Sequence, residues 1–328
     1  MNLSEAGELA LLEILRKKFR RKPSRLVLGI GDDAAVIKAG KTAYMLLTTD
    51  MMVEGVHFDL GWTTPFQLGF KLVSVNVSDI YAMGGRPEFL LLNFAAPGCV
   101  DIVFFNRLFD GIKKATEAYD LSLVGGDVSS SDKVVLSATV TGHTSRILSR
   151  RGARVGDRIY VTGHLGDSAC GLELMKRIKR PVEIEKKKKT ELDLGWIAAL
   201  PLITRHLMPH AVKPDRFVRK ATSMIDISDG LLIDLSRLCR ESKVGAVIYG
   251  DRIPISDELR KAAVYLGTSA DELAMAGGED YELLFTAPED KKIEAFCIGE
   301  IVSSGMKIID GTGKKRNIAV RGYQHFAV

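Results

Sequence analysis

The sequence predicts a two-domain α/β fold. A chain of 328 residues is long enough for two domains with cores of ordinary size. Short apolar runs typical of strands alternate along the chain with longer segments of helical periodicity. Around residues 153–162 a turn, a strand and a tight glycine loop follow one another, which marks a change of unit. We therefore expect one domain over residues 1–150 and a second over residues 151–328.

Composition restricts the class of protein. A hydrophobic content of 46% with 27% charged residues is typical of a soluble globular chain. The net charge is +5 and basic and acidic residues are mixed, so we expect neither a nucleic-acid nor a membrane partner. No leader-like segment and no apolar run of membrane-spanning length are present, which predicts a cytoplasmic protein. The cysteines are widely spaced and fit a reducing compartment: Cys99, Cys170, Cys239 and Cys297.

The first half of the chain is predicted to alternate helices and strands. Helical spacing of apolar residues covers Leu3–Phe19, Pro65–Ala82 and Phe104–Tyr119. Strand-like runs cover residues 26–30, 46–50, 89–95, 121–126 and 134–141.

The second half is predicted to repeat this alternation. Strands are expected over residues 158–162, 224–227 and 283–286, with helices over residues 167–178 and 231–242. The tail from residue 298 is predicted to form short strands joined by glycine turns. The basic run Lys176–Lys189 contains a proline and two glutamates, and we interpret it as a solvated surface segment.

Oxygen-bearing side chains recur where strand-like runs end. The run that begins at Leu46 closes in Thr48, Thr49 and Asp50, which we expect at the mouth of a buried strand. Such hard oxygen ligands suit magnesium and a polyphosphate. Taken singly, each aspartate equally fits a turn or a helix cap. Further aspartates follow other runs: Asp33, Asp79, Asp127, Asp226 and Asp229.

Three local patterns add to this interpretation. Asn76 and Asp79 share the apolar side of a predicted helix, where they require either a bound metal ion or a hydrogen bond to each other. Ser228 lies between two aspartates at a predicted helix N-terminus, a position that suits an anion or nucleotide. Arg150 is either a phosphate contact or part of an exposed loop of arginines.

Seven motifs follow one another along almost the whole chain. They are GIGDDAAVI, TTDMMVEGVHF, NVSDIYAMGGRP, VGGDVSSS, RRGARVGD with YVTGHLGDSACGL, IDISDGL and GGEDYELLFT. Together they resemble the thiamine-monophosphate kinase family, within the aminoimidazole ribonucleotide synthetase superfamily. The resemblance implies a homodimer, with an N-terminal α/β domain whose sheet pairs across the dimer. It further implies a C-terminal mixed α/β domain with helices on one side of its sheet.

The resemblance also implies roles for individual residues. The N-terminal domain would bind metal and ATP, and the C-terminal domain would add nucleotide and substrate contacts. Metal ligands would be Asp33, Thr48, Thr49, Asp50, Asp79, Asp127, Asp226 and, more peripherally, Asp229. Nucleotide contacts would be Gly126, Asp127, Arg150 and Ser228. Thiamine contacts would be His57, Glu279 and Tyr323. Met208 replaces an arginine that relatives carry.

The implied reaction is the ATP-dependent phosphorylation of thiamine monophosphate to thiamine diphosphate. Because both substrates are polyanions, several Mg²⁺ ions would have to neutralise their repulsion, and direct in-line transfer then needs no protein nucleophile. Arg150 is a candidate for stabilising charge. Two alternatives stay open at this point. One is another ATP-dependent enzyme of the superfamily, similar to aminoimidazole ribonucleotide synthetase; the other is a metal-binding dimeric scaffold without turnover.

Overall fold

The computed structural model describes residues 3–19, 23–184 and 195–325. These residues form two sheets with helices packed on them, so the predicted α/β class with two sheet-containing units is confirmed. The first unit contains α1 (Leu3–Lys18), β1 (Leu26–Leu28), β2 (Ala35–Lys38), β3 (Tyr44–Val53), α2 (Pro65–Ala82), β4 (Arg86–Ala96), α3 (Ile102–Tyr119), β5 (Ser122–Ser130) and β6 (Val135–Thr144).

The first sheet has the strand order β1-β2-β3-β6-β4-β5, in which β4 and β5 pair in parallel and the other neighbours pair antiparallel. Residues alternate between its two faces. One face buries Leu46, Leu90 and Val140 in the same hydrophobic core as residues of α2 and α3. On the other face Phe89 and Leu91 are exposed to solvent.

Two glycines allow α2 and α3 to pack closely. A Cβ atom on Gly111 would lie 1.9 Å from the carbonyl oxygen of Phe66, and one on Gly69 would lie 2.1 Å from that of Leu108. Any larger residue at either position would therefore push the helices apart. The start of α2 is fixed by Thr64, whose side chain and that of Gln67 form a capping box. These contacts fix where α2 begins and hold it close beside α3.

The elements of the second unit are β7 (Arg158–Val161), α4 (Asp167–Ile178), α5 (Trp196–Leu207), β8 (Ser223–Asp226), α6 (Leu231–Ser242), β9 (Gly245–Tyr249), α7 (Asp257–Leu266), α8 (Ala270–Ala276), β10 (Leu283–Ala287), β11 (Phe296–Val302), β12 (Met306–Ile309) and β13 (Lys315–Asn317). Its seven strands form one sheet in the order β13-β12-β9-β11-β7-β10-β8. The two sides of this sheet lie in different hydrophobic cores. Leu284 lies in a core with residues of α6, whereas Leu283 and Phe285 lie in another with Phe217 and Ala82.

Two predicted strand ends were wrong. The strand β3 continues to Val53, so Thr48, Thr49 and Asp50 lie within it and not at its mouth. The strand β5 continues to Ser130, so Asp127 also lies inside a strand. Pairing with neighbouring strands carries both elements past their polar residues.

Some predictions are not tested by these elements. Residues 185–189 of the basic run lie outside the described residues, whereas Lys176 lies in the last turn of α4. The boundary between residues 150 and 151 stays a prediction. In the described part of the chain, we find no helix with both the length and the hydropathy needed to span a membrane.

Candidate active site

Three carboxylates from distant parts of the chain meet beside α2. Asp33 comes from the loop between β1 and β2, Asp79 from α2 and Asp226 from the end of β8. Each offers one oxygen, and these oxygens lie within 4.8 Å of one another. Like charges this close repel one another strongly unless they are protonated or share a cation. The structure thus gathers three of the predicted metal ligands, one of which belongs to the second sheet.

The electrostatics of this acid cluster (Asp33, Asp79 and Asp226) fit a divalent cation. Burial and the neighbouring carboxylates raise the pKa of Asp79 and of Asp226 well above the usual range. Burial, then Asp229 and Asp33, raise the pKa of Asp50 to about 6. The Oδ2 atom of Asp33 is buried and has no hydrogen-bond partner among the described residues. Excess negative charge and a free carboxylate oxygen are the properties expected of a Mg²⁺ site.

Hydroxyl and amide groups orient the carboxylates. Thr48 donates its hydroxyl hydrogen to Asp79 at 2.5 Å, and Ser78 donates to Asp226 at 2.6 Å. Asn76 accepts the backbone N–H of Asp50 at 3.1 Å and donates its amide to the Leu72 carbonyl. The buried amide of Asn76 is therefore satisfied without Asp79, so the predicted alternative of a hydrogen bond between these two side chains is wrong.

Arg150 closes the cluster on one side. Its Nη2 atom lies 2.5 Å from Oδ1 of Asp33, and its backbone N–H donates to Asp32 at 3.2 Å. Burial by itself would lower the pKa of Arg150, but Asp33 and Asp32 outweigh it and raise the pKa. The alternative of an exposed arginine loop does not describe Arg150, since only 17% of its side chain is accessible.

The loop after β8 brings Ser228 and Asp229 to the same region. The carboxylate of Asp234, in the first turn of α6, accepts the backbone N–H groups of Asp229 and Gly230, each at 3.0 Å. Arg237 bridges the carboxylates of Asp229 and Asp234 at 2.5 and 2.8 Å. This loop is consequently fixed in place next to Asp226, at the start of a helix where phosphate groups bind well.

Two of the predicted thiamine contacts meet around an aromatic side chain near the C-terminus. The ring of His325 lies 5.1 Å from that of His57 and 5.0 Å from that of Tyr323. Tyr323 donates its backbone N–H to the carbonyl oxygen of Asp229 at 3.0 Å, which anchors the tail beside the loop between β8 and α6. Burial first, then electrostatic interactions with His325 and Lys71, lower the pKa of His57, and Glu279 offsets part of this effect.

The third predicted contact, Glu279, is held by two nitrogen atoms. The Nζ atom of Lys71 lies 2.9 Å from Oε1 and 3.0 Å from Oε2, and Nδ1 of His206 lies 3.1 Å from Oε2. Burial would raise the pKa of Glu279, but Lys71 and His206 outweigh it and lower the pKa. Its backbone N–H donates to the carbonyl oxygen of Ser228 at 2.7 Å, which fixes Glu279 to the loop between β8 and α6. The lowered pKa keeps its carboxylate ionised.

Three predicted site residues are not brought to this cluster within one chain. The side chain of Thr49 points to the exposed face of the first sheet, where its hydroxyl donates to Ala138. Asp127 pairs with Asn93 on that same face. Its strand β5 lies three positions from β3, a separation of about 14 Å at the usual strand spacing. Gly126 lies beside Asp127 on this exposed edge strand.

Several residues that build the site were missed from the sequence. Lys71 and Ser78 had a detectable signal, because they are polar and lie seven positions apart on a largely buried helix, hence on one face. His206 and His325 had no such signal, because His206 is 73 residues from Glu279 in the sequence and His325 is 268 residues from His57.

Comparison with known proteins is consistent with this architecture. The family model described as AIR synthase related protein, N-terminal domain, matches residues 31–144, and the corresponding C-terminal domain matches residues 154–311. A thiamine-monophosphate kinase of Aquifex aeolicus is 36% identical over 331 residues, which cover 99% of this chain and all of that protein. The chain belongs to the thiamine-monophosphate kinase family.

Other members of the thiamine-monophosphate kinase family agree with this assignment. The protein of Escherichia coli strain K12 is 33% identical, with 98% of each chain covered. A solved structure described as AaThiL complexed with AMPPCP and TMP superposes with a TM-score of 0.85 at 34% identity, covering 99% of both chains. The hydrogenase maturation protein HypE in complex with ATP has a TM-score of 0.63 at 17% identity, a likeness of fold alone.

Proposed function

We propose that this protein transfers the γ-phosphate of ATP to thiamine monophosphate, giving thiamine diphosphate and ADP. Full-length similarity to proteins of that name supports the proposal, as does the related structure that holds AMPPCP and TMP. The observation that carries it is the position of the acid cluster. Asp226 of this cluster directly precedes the loop that begins α6, and the backbone N–H of Tyr323 in the tail donates to Asp229 of the same loop, so we infer that two phosphate groups meet here.

The acid cluster is the proposed magnesium site. Asp33, Asp79 and Asp226 would hold Mg²⁺, with Asp50 and Thr48 beside them and Asp229 at the periphery. When bound, Mg²⁺ would neutralise the repulsion between the nucleotide and the acceptor phosphate.

The remaining residues are proposed to bind and orient the two substrates. Arg150 and Ser228 would contact the nucleotide phosphates, and Arg150 would stabilise charge that develops during transfer. His57, Glu279 and Tyr323 would hold the thiamine portion so that its phosphate is in line with the γ-phosphate. An ionised acceptor phosphate is itself the nucleophile, so the chain needs to supply positioning and charge stabilisation but no covalent intermediate.

We also propose that the protein is a cytoplasmic homodimer whose sites draw on both subunits. The exposed face and the free edge strand β5 carry apolar side chains such as Phe89, Val124 and Val128, a surface that pairing would cover. In such a dimer Gly126 and Asp127 would serve the nucleotide bound to the partner subunit, which accounts for their distance from the cluster of their own chain. Four free thiols fit a reducing compartment.

The test is a substrate comparison. The protein is incubated with ATP and Mg²⁺ and, separately, with thiamine, thiamine monophosphate or formylglycinamidine ribonucleotide, and products are identified by mass spectrometry. We expect thiamine monophosphate alone to be converted, with one ADP per thiamine diphosphate. Conversion of formylglycinamidine ribonucleotide would instead assign the aminoimidazole ribonucleotide synthetase reaction, and no conversion at all would favour a scaffold.

A further inference from the structure

Arg16, on α1, contacts both units of the fold. Its Nε atom donates to the carbonyl oxygen of Ile30 at 3.1 Å, in the loop between β1 and β2 that also carries Asp33. Its Nη2 atom donates to Oε1 of Glu241 at 3.1 Å, in the last turn of α6. The two charged side chains are 27% and 17% accessible, so their ion pair is partly shielded from water. One guanidinium therefore connects the loop of the first unit to a helix of the second.

The backbone of the loop is shaped to admit this guanidinium. Gly31 has a φ of 120°, a conformation that residues with a side chain rarely adopt. A Cβ atom on Gly31 would overlap the guanidinium of Arg16, which fills the space that a side chain would take there. A planar guanidinium carries several N–H donors in a fixed arrangement, so it can bind a carbonyl oxygen and a carboxylate at the same time. A lysine ammonium has no such arrangement of donors.

A second set of contacts leads from the same loop back to the same end of α6. The side chain of Arg150 lies 2.5 Å from Oδ1 of Asp33, and the carbonyl oxygen of Arg150 accepts the hydroxyl hydrogen of Ser242 at 2.7 Å. Ser242 follows Glu241 at the end of α6. The loop, Arg150, the end of α6 and Arg16 thus form a closed ring of contacts, and Asp33 belongs to that ring.

This ring matters for the acid cluster because the cluster draws on both units. Asp33 comes from the first unit and Asp226 from the second, and their oxygens lie within 4.8 Å of each other. Buried carboxylates at this distance repel one another, so Asp33 has to be held in place by contacts outside the cluster. Arg16 binds the backbone of the loop three residues before Asp33, and a guanidinium has no atom that could bind a cation.

We propose that Arg16 is a positioning residue for the metal and nucleotide site. By binding the loop to α6, it holds Asp33 at the distance from Asp226 that a shared Mg²⁺ ion requires. Arg16 itself contacts neither the ion nor a substrate. The inference rests on the proposed function and adds a residue to it that lies outside the site.

Arg16→Gln tests the proposal, because it removes the charge and the fork of donors while glutamine keeps a good helix former in α1. Binding of Mn²⁺ in the presence of AMPPCP is measured by electron paramagnetic resonance, without turnover. We expect the Kd for Mn²⁺ to rise about 10-fold or more, the effect typical of losing a group that orients a metal ligand. Unchanged binding of Mn²⁺ would overturn the inference.

Steady-state kinetics separate positioning from a general loss of structure. In Arg16→Gln the KM for ATP should rise about 10-fold, whereas the KM for thiamine monophosphate, at saturating ATP and Mg²⁺, should change less than about 3-fold. Arg16→Lys should recover part of the loss, because an ammonium can keep one of the two contacts. Equal changes in both KM values would show a merely structural role for Arg16 and overturn the inference.

Glu241→Gln tests whether Arg16 acts through α6. Alone it should raise the Kd for Mn²⁺ about 3- to 10-fold, since Arg16 keeps its contact with Ile30. Because both residues act through one ion pair, the double variant should match Arg16→Gln within about 2-fold. A loss in the double variant equal to the product of the two single losses would show independent action and overturn the inference.

Arg177 provides a matched control. Like Arg16 it donates from a helix to backbone oxygens, here the carbonyls of Tyr265 and Leu266 at 3.4 and 2.8 Å, at the end of α7. Arg177→Gln is expected to leave the Kd for Mn²⁺ within about 2-fold of the unmodified protein. An equal loss in this variant would overturn the inference. Weakened Mn²⁺ binding in Arg16→Gln, in a protein that does not phosphorylate thiamine monophosphate, would contradict the proposed function and leave the role of Arg16 standing.

Discussion

Asp79 is the residue at which stability and function oppose each other most directly. Its carboxylate is buried beside Asp33 and Asp226, and both burial and these neighbours raise its pKa well above the usual range. Such a group destabilises the metal-free fold when it ionises, and it binds a cation only when it is ionised. The same crowding that costs stability therefore provides the affinity for Mg²⁺.

Asp79→Asn should reduce kcat at least about 100-fold, because it removes one ligand charge from the proposed metal site. The same change should raise the melting temperature of the Mg²⁺-free protein by a few degrees, because it relieves repulsion worth roughly 1 kcal/mol. Activity is measured as ADP release and stability by calorimetry. Asp101→Asn is the matched control, since Asp101 caps α3 at the surface and asparagine is an equally good cap. An unchanged rate in Asp79→Asn would contradict its assigned role.

The pH dependence of stability tests the same crowding. A carboxyl group whose pKa is raised by folding stabilises the protein fully at low pH, and this contribution is lost as the pH rises through the folded-state pKa. For Asp50 the pKa in the folded protein is about 6, and for Asp79 and Asp226 the pKa is raised well above the usual range of an aspartate. We therefore expect the stabilisation of Asp79→Asn over the unmodified protein to grow from about pH 5 to about pH 8 without Mg²⁺. A difference that shrinks over this interval would contradict the raised pKa.

At the scale of elements, α2 is the support of the site. It carries Lys71, Asn76, Ser78 and Asp79, so its position relative to the sheet sets the distances among metal ligands and substrate contacts alike. That position depends on the close packing of α2 against α3 at Gly69 and Gly111. The contact lies about three turns along the helix from Asp79 and holds the helix that carries this residue.

Gly111→Ala should lower the free energy of unfolding by about 2–3 kcal/mol, because the added methyl group would clash with the Phe66 backbone and force the helices apart. Chemical denaturation measures the change. Gly98→Ala is the control, since a Cβ there has no neighbour within 4 Å. Equal stability of the two variants would show that the close approach of α2 and α3 is unimportant.

Much of this element structure could be predicted from the sequence. The helix α2 was predicted with its observed ends, because its apolar repeat begins beside Pro65 and stops before Gly84 and Gly85. The end of β3 was not predicted, because the pairing that extends it involves β6, some ninety residues further on. The acidic residues were recognised as candidate ligands. Their convergence, and the part played by His206 and Lys71, depend on tertiary contacts that no local pattern records.

At the scale of the whole molecule, the free edge of the first sheet has to be covered. Val128 is 66% exposed on the edge strand β5, next to Asp127. An apolar edge of this kind invites pairing with another chain. In the proposed dimer this pairing would also complete each active site with Gly126 and Asp127 of the second subunit.

Mixing two inactive variants tests whether the sites are shared. Asp79→Asn and Asp127→Asn are each expected to lose activity, and co-refolding or co-expression should restore up to about a quarter of the unmodified rate. With random pairing about half of the dimers contain one subunit of each variant. In each such dimer, one of the two sites combines the unmodified Asp79 of one subunit with the unmodified Asp127 of the other. Val128→Glu should yield a monomer in light scattering, whereas Val264→Glu, at the exposed surface of α7, should not. No recovery on mixing would place Asp127 outside the partner's site.

The position of the bound metal ion tests most directly whether the acid cluster is the magnesium site. Crystals grown with Mn²⁺ in place of Mg²⁺ and with a non-hydrolysable ATP analogue locate the ion by its anomalous scattering. We predict a peak about 2.1–2.3 Å from oxygens of Asp33, Asp79 and Asp226, with the Arg150 guanidinium turned toward the nucleotide phosphates. A structure in which these carboxylates bind no ion while nucleotide is present would contradict the account.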